Sequence, residues 1–98
     1  MKKIKTIKTV REFIAAHERK NPRSLFFSKE WLKAFGESLS QMNLYTCGNN
    51  FVVASYQKNS PFPSKFAYHV FDSDTLEHID SAHGLSEFIT KYGQLKEV

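Results

Sequence analysis

Six side chains that could bind a metal ion or transfer protons lie close together between Tyr68 and His83. They are His69, Asp72, Asp74, His78, Asp80 and His83. Imidazole and carboxylate groups bind zinc and harder divalent ions, and they also act as general acids and bases. Their spacing matches no HxxxH, HExxH or CxxC framework, and Asp72-Ser73-Asp74 lacks the later Gly and Glu of a calcium loop. The simpler interpretation is a turn with exposed imidazoles, and a metal-dependent enzyme built on these six residues is kept as an alternative.

The rest of the chain carries no catalytic motif. No Gly-x-Ser-x-Gly segment and no phosphate-binding Gly-rich loop occur, and the four Gly are scattered. The single cysteine, Cys47, has no basic neighbours to activate its thiol, so we expect a small buried hydrophobe. We expect no enzyme activity, no catalytic residue, no metal and no cofactor. One cysteine cannot form an internal disulfide, which favours a reducing compartment such as the cytoplasm.

Positive charge is concentrated in the first third of the chain. Residues 1–33 hold ten Lys or Arg against three Glu, whereas residues 34–98 hold four Lys against seven Asp or Glu. A basic end of this kind suits a polyanion or an acidic protein surface. The residues expected to form a partner-binding basic face are Lys5, Lys8, Arg11, Arg19, Lys20 and Arg23. The alternative is a solvated surface that keeps a small protein soluble.

Three aromatic residues in this basic third raise a second alternative, a nucleic-acid-binding accessory domain. Phe26, Phe27 and Trp31 could stack on bases while basic side chains contact phosphates. However, the Phe26-Phe27 pair comes just before a helix start, where apolar side chains are normally buried. We therefore expect these aromatics to lie in the core.

The length of the chain suits one domain. Its 98 residues, 41% of them hydrophobic, can bury a single core, so residues 1–98 should fold as a unit. The basic segment 1–8 is a candidate for mobility. No apolar run follows it as in a cleaved signal, and no stretch is long enough to span a membrane, so we expect neither export nor membrane insertion.

Two helices are predicted in the first half of the chain. Thr9-Val10-Arg11-Glu12 fits a capping box, which predicts a helix from Val10 to Lys20 that ends before Pro22. Its apolar stripe consists of Val10, Phe13, Ile14 and His17. A second helix is predicted from Lys29 to Gln41. Gly36 lies inside it, where we expect another backbone to pack closely.

From Leu44 onward the apolar period changes to two, which predicts strands. Phe51–Tyr56 is the only continuous apolar run with turn residues on both sides, so it should be the central strand. The predicted strands are Leu44–Cys47, Phe51–Lys58, Lys65–Phe71 and a short Leu76–Ile79. The loop between the second and third strands carries Pro61, Phe62 and Pro63, a second candidate partner-binding region.

A third helix completes the predicted fold. Its apolar stripe consists of Leu85, Phe88, Ile89, Tyr92 and Leu95. The predicted order is α-α-β-β-β-(β)-α, which indicates an α+β fold. We expect an antiparallel meander of three to four strands with the helices on one face.

Four short segments between residues 21 and 92 occur in a recurring order. They are Phe26-Phe27-Ser28, Phe35-Gly36, Phe51-Val52 and Tyr68-His69-Val70-Phe71-Asp72. Together they resemble a loose family of small uncharacterised proteins encoded by phages and mobile elements. The resemblance implies a setting in a bacterial host and no particular activity. By analogy, such proteins are often inhibitors that dock on host defence nucleases, including anti-CRISPR proteins.

These observations predict a small non-enzymatic binding protein in the bacterial cytoplasm. Its partner would be a host protein or a nucleoprotein complex, for example a defence nuclease inhibited in the manner of anti-CRISPR or anti-restriction proteins. Direct nucleic-acid binding and the metal-dependent enzyme are the alternatives. Neither the identity of the partner nor the oligomeric state follows from the sequence.

Overall fold

The computed structural model describes residues 7–98, in which a five-stranded antiparallel sheet is combined with three α-helices. The α+β class is as predicted, with five strands in place of three or four. In chain order the elements are α1 (Val10–Lys20), α2 (Lys29–Phe35), a short 3₁₀-helix (Leu39–Gln41), β1 (Asn43–Cys47), β2 (Asn50–Tyr56), β3 (Phe66–Asp72), β4 (His78–His83), α3 (Leu85–Tyr92) and β5 (Lys96–Glu97). The strands lie side by side in the order β4-β3-β2-β1-β5.

β2 lies at the centre of the sheet, as its apolar sequence predicts, and both of its faces are covered. All residues from Phe51 to Ser55 are buried. Side chains alternate between the two faces of a strand, so Phe51 and Val53 point to one side and Val52 to the other. A strand that is apolar on both faces requires a packing layer on each side.

The helices provide these two layers. On the Phe51 side, the buried core also contains Phe13, Ala16, Phe27, Met42, Leu44, Val53, Phe71 and Leu76. On the Val52 side, Phe88 of α3 packs with Cys47, Val70 and Ala82. The expectation that the helices share one face is therefore wrong, because β2 needs cover on both. Cys47 is buried, as predicted.

α1 has the predicted bounds, Val10–Lys20. The Glu12 amide donates a hydrogen bond to Thr9 Oγ1 at 3.1 Å, and the Thr9 amide donates one to Glu12 Oε1 at 3.1 Å. These two bonds satisfy backbone groups that a helix start leaves unpaired. The predicted capping box is confirmed.

The buried face of α1 is centred on Phe13, which is fully enclosed. Ala16 and His17 are buried beside it, whereas Val10 and Ile14 are partly buried and pack against the core. The predicted stripe is confirmed at Phe13 and His17, and Ala16 is the buried residue that it missed.

α2 is shorter than the predicted helix Lys29–Gln41. It begins at Lys29, as predicted, with Ser28 as its N-cap, but ends at Phe35. Gly36 is the C-cap, with φ 67° and ψ 35°, a left-handed conformation that ends helices and favours Gly. A Cβ atom added there would lie 2.8 Å from Lys58 Cβ. The expected close approach is therefore confirmed, although Gly36 caps the helix and does not lie inside it.

β1, β2 and β3 lie within two residues of their predicted bounds. The fourth strand is His78–His83 in place of Leu76–Ile79. Leu76, with φ 59°, belongs to the β3–β4 turn and buries its side chain there, so the strand begins later. Lys96–Glu97 adds an edge strand on β1 that the sequence did not predict. Leu95 packs against the core beyond the end of α3.

The predicted basic segment 1–8 falls mainly on residues 1–6, which lie outside the described residues. Lys5 of the predicted basic face is among them. Ile7 packs against the core just before α1. Among residues 7–98, no helix has the length and apolar character needed to cross a membrane.

The cap at Gly36 makes a testable prediction. Gly36→Ala combines a left-handed backbone with the contact to Lys58 Cβ, whereas Gly48→Ala has φ 61° and no atom within 4 Å of the new Cβ. Both changes carry the left-handed penalty of about 1–2 kcal/mol, and crowding adds about 1–3 kcal/mol at Gly36 only. Urea unfolding should show the larger loss for Gly36→Ala. Equal losses for the two variants would contradict the close packing at Gly36.

Candidate functional site

One end of the sheet, where β3 begins and β4 ends, carries an exposed apolar surface. Phe62 is 47% exposed, Phe66 49% and Leu85 46%. Pro61 and Pro63, on either side of Phe62, are exposed as well. We call these five residues the apolar end. These residues lie at one end of the sheet but on both of its faces: Phe62 stacks on His83, which faces the α1 side, whereas Phe66 shares the α3 side with Tyr68. Exposed apolar side chains of this kind are candidates for contact with a partner.

The ring of Phe62 is held in place by its neighbours. It stacks on His83, with 3.9 Å between the ring centroids and 23° between the planes. The Phe62 amide donates a hydrogen bond to Ser60 Oγ at 3.1 Å, and Lys65 Nζ donates one to the Ser60 carbonyl at 2.7 Å. Ser60 itself is buried. The loop 59–64 is therefore a fixed support for an exposed ring.

The other two large apolar side chains project from the first residues of β3 and α3. The Phe66 ring lies 5.3 Å from that of Tyr56. The Gly84 amide donates a hydrogen bond to the Phe66 carbonyl at 2.9 Å, which holds Leu85 near the same end. Leu85 was expected in the buried stripe of the third helix. That expectation is wrong, because α3 turns Phe88 toward the sheet and leaves Leu85 in solvent.

Charged side chains around the apolar end are mainly basic. Lys58 and Lys65 are exposed on the two arms of the loop. Glu87, also exposed, accepts a hydrogen bond from the His83 amide at 3.4 Å. Lys58 and Lys65 thus flank the loop in sequence, and Glu87 lies on the α3 side.

The described residues of the predicted basic face lie on α1 and at its two ends. Lys8, Arg11, Arg19, Lys20 and Arg23 are all exposed. The two arginines on α1 share its exposed surface with Glu12 and Glu18, so this surface is mixed in charge. Lys20 Nζ donates a hydrogen bond to the Asp74 carbonyl in the β3–β4 turn at 2.9 Å. The last turn of α1 is therefore at the opposite end of β3 from the apolar end.

The six His and Asp residues singled out in the sequence do not form one group. His69 and His78 lie together on the α1 side of the sheet, His83 stacks on Phe62, Asp80 bonds to α3, and Asp72 and Asp74 lie at the β3–β4 turn. Within residues 7–98, no three His, Cys, Asp or Glu side chains come close enough to hold a metal ion. The amides of Thr75 and Asp74 donate to Asp72 Oδ1 and hold the pKa of Asp72 below its usual value. Turn formation is therefore confirmed as the role of Asp72, whereas the expectation of exposed imidazoles is wrong for His69, which strand pairing buries under β4 and the aromatic rings.

Asp80 connects β4 to α3. Its Oδ2 accepts hydrogen bonds from the Tyr92 hydroxyl at 2.7 Å and from Lys91 Nζ at 3.1 Å. The bond from Tyr92 lowers the pKa of Asp80, and it raises the pKa of Tyr92 to about 12. The carboxylate therefore positions a helix.

A chain of hydrogen-bonded polar side chains runs from the end of α2 to β4. Glu37 Oε2 accepts a hydrogen bond from Gln57 Nε2 at 2.6 Å and lies 3.4 Å from His69 Nε2. His69 Nδ1 lies 2.7 Å from Ser81 Oγ, and His78 Nε2 lies 2.8 Å from the same oxygen. We call these five residues the polar chain. Glu37, Gln57 and His69 are buried, whereas Ser81 is half-buried on the edge strand.

Aromatic rings pack around the outer part of the polar chain. The Phe26 ring lies 4.3 Å from that of His78, and the Trp31 ring lies 5.4 Å from that of His69. Burial, followed by the electrostatic effect of His69, lowers the pKa of His78. Phe27 is buried, and Phe26 and Trp31 pack against the same core. The expectation that these aromatics belong to the core is confirmed.

The sequence analysis missed the residues that turn His69 and His78 into a connected group. Glu37 was assigned to the interior of the second helix, and Gln57 and Ser81 were not singled out. Apart from the His78–Ser81 contact, which spans three residues, the contacts span 12 to 32 residues of the polypeptide, so no short motif joins them. The pairing of β2 with β3, and of β3 with β4, brings them together.

Comparison of the chain with models of known protein families, with curated proteins and with solved structures finds no match. The resemblance to proteins of phages and mobile elements stays a prediction.

The bond from Tyr92 to Asp80 is open to a direct test. Tyr92→Phe removes the donor, so the pKa of Asp80 should rise toward its ordinary value near 3.9. A lowered folded pKa stabilises the fold above the unfolded pKa and loses that contribution as the pH falls. Stability should therefore fall less steeply with acid in Tyr92→Phe. A carboxyl titration followed by NMR measures the pKa, with Tyr68→Phe as the control, and an unchanged Asp80 pKa in Tyr92→Phe would contradict the bond.

Proposed function

We propose that this chain is a binding protein that docks on a partner protein through the apolar end. The observation that carries the proposal is the rigid presentation of half-exposed Phe62 on His83, with half-exposed Phe66 and Leu85 at the same end. Burying apolar surface is worth about 25 cal/mol per Å². A surface that is already fixed loses little conformational entropy on binding. Both effects favour a partner at this end.

The chemistry of the apolar end indicates the chemistry of its partner. Aromatic and proline side chains at the centre fit an apolar segment, and Phe62 and Phe66 are the rings available to anchor it. Lys58 and Lys65 flank this centre, so acidic groups beside the apolar segment would be favoured. We infer a partner whose docking segment is apolar or aromatic and is flanked by Asp or Glu.

The resemblance to proteins of phages and mobile elements suggests the setting of this interaction. On that basis the partner would be a host protein or a nucleoprotein complex, such as a defence nuclease, in a bacterial cytoplasm. Docking of this kind requires neither a catalytic residue nor a cofactor. Direct contact with nucleic acid through the basic face is the competing proposal.

The docking surface can be tested with selected peptides. Short random peptides displayed in a library are selected on the wild-type protein, and their affinity is measured by fluorescence anisotropy. We expect enrichment of apolar or aromatic residues flanked by Asp or Glu. The double variant Phe62→Ser, Phe66→Ser should bind these peptides roughly thirty-fold or more weakly, because it removes both anchor rings.

A matched control removes exposed apolar side chains elsewhere. Leu25 is 74% exposed and Ile79 is 50% exposed, and both lie away from the apolar end. The variant Leu25→Ser, Ile79→Ser should bind the selected peptides as the wild type does. Selected peptides that bind the Phe62, Phe66 variant with undiminished affinity would exclude the apolar end as the docking surface. Self-association of the wild type, abolished by the same variant, would identify the partner as a second copy.

Charge reversal separates the apolar end from the predicted basic face. The last turn of α1 contacts the far end of β3, and charges more than about 10 Å apart are largely screened at physiological salt. Arg11→Glu, Arg19→Glu should therefore leave the affinity for the selected peptides unchanged. Any binding of single- or double-stranded nucleic acid at low salt should weaken in this variant. A large loss of peptide affinity would instead favour the basic face as the interface.

A further inference from the structure

The polar chain is not used by the proposed docking surface, and one assignment of protons satisfies all of its hydrogen bonds. With Glu37 ionised, Glu37 Oε2 accepts hydrogen bonds from Gln57 Nε2 and from the Nε2–H tautomer of His69. A neutral imidazole that donates from Nε2 accepts at Nδ1. His69 Nδ1 therefore accepts the hydroxyl proton of Ser81 at 2.7 Å.

The second imidazole completes the arrangement around the Ser81 oxygen. With its proton directed at His69, Ser81 Oγ has lone pairs free to accept the Nε2 proton of His78 at 2.8 Å. One imidazole is thus placed to take the serine proton, and another donates to the same oxygen. The sequence of carboxylate, imidazole and hydroxyl is the order that activates a serine nucleophile.

Ser81 is partly exposed to solvent. Ser81 is half-buried on β4, an edge strand of the sheet, and His78 beside it is exposed. Glu37, at the other end of the chain, is shielded from solvent, its side chain having 0% exposure. A buried carboxylate behind an accessible hydroxyl is the layout in which the carboxylate orients the base without meeting solvent or substrate.

We infer that Ser81 is a nucleophile that accepts the acyl group of small, uncharged esters, a role that goes beyond the proposed docking function. Ser81 Oγ attacks the carbonyl carbon while its proton moves to His69 Nδ1. The ester C–O bond then breaks, and His69 gives the proton to the departing alcohol. Water attacks the acyl-serine in the same way, which releases the acid and restores the Ser81 hydroxyl.

The aromatic rings around the polar chain favour an uncharged, apolar substrate. The Phe26 ring lies 5.5 Å from that of His69 and 4.3 Å from that of His78, and Trp31 lies 5.4 Å from His69. Among the described residues, no Lys or Arg side chain forms a hydrogen bond with the polar chain. A phosphate ester would therefore have no cationic group to bind there. An apolar acyl group on a neutral ester suits this environment.

p-Nitrophenyl acetate is the probe for this inference. Mixing it with the wild-type protein should release p-nitrophenol and add one acetyl group before water hydrolyses the acyl-serine. Peptide mass spectrometry of a sample acid-quenched at that stage should locate the acetyl group on Ser81. Ser81→Ala should lose the adduct completely. Ser86, an exposed serine on α3 outside the polar chain, supplies the matched control, and Ser86→Ala should be acetylated as the wild type is.

Variants of the other residues in the polar chain test whether Ser81 is acetylated because it is activated or only because it is exposed to the reagent. His69→Gln should slow acetylation by about 100-fold or more, the usual effect of losing a general base. Glu37 is a positioning residue, so Glu37→Gln should slow the reaction and also move the midpoint of the pH–rate profile to lower pH, because the variant lacks the carboxylate that stabilises the imidazolium. A merely structural Glu37 would not move that midpoint.

Three results would overturn the inference. They are absence of an adduct on the wild type, acetylation spread over several serines with Ser81 not preferred, and an unchanged rate in His69→Gln. Circular dichroism and urea unfolding of each variant show whether it is folded. The location of the adduct on the wild-type protein does not depend on any variant. If a variant fails to fold, the presence or absence of an adduct on Ser81 of the wild type decides the question.

Discussion

The burial of β2 on both faces is the constraint on which the rest of the structure depends. A strand with Phe51 and Val53 on one side and Val52 on the other cannot lie at a surface, so α1 and α2 cover one face and α3 the other. With both faces occupied, the sheet meets solvent mainly at its strand ends and along its edge strands. The apolar end and Ser81 on β4 lie in these two places.

The polar chain reduces the folding stability of a small core. Its presence therefore indicates a functional role. Within the polar chain, Glu37 Oε1 is buried and has no hydrogen-bond partner among the described residues. Unpaired buried polar atoms cost about 1–3 kcal/mol each, and apolar replacements are often as stable or more so. Buried polar groups that reduce stability are most common where a structure serves chemistry or specificity.

Structural features that depend on neighbouring residues are predicted correctly from the sequence, whereas features that depend on residues far apart in the chain are not. The capping box at Thr9 gives α1 its bounds, and the apolar run in β2 gives the sheet its centre, because both depend on neighbouring residues. The helical pattern around Gly36 does not reveal that the residue is a C-cap, because the contact with Lys58 depends on a distant part of the chain. The pairing of His69 with Glu37 and Ser81, and the exposure of Phe66, follow from strand register and helix placement, for which a single sequence holds no short pattern.

We propose that a partner protein binds at the apolar end. Amide hydrogen exchange of the wild-type protein, alone and saturated with a selected peptide, tests this most directly, because it reports every backbone segment at once. The account predicts that added protection is concentrated in residues 60–67 and 83–87, with little change along α1. Protection concentrated on α1 and residues 20–23, with the apolar end unchanged, would contradict it.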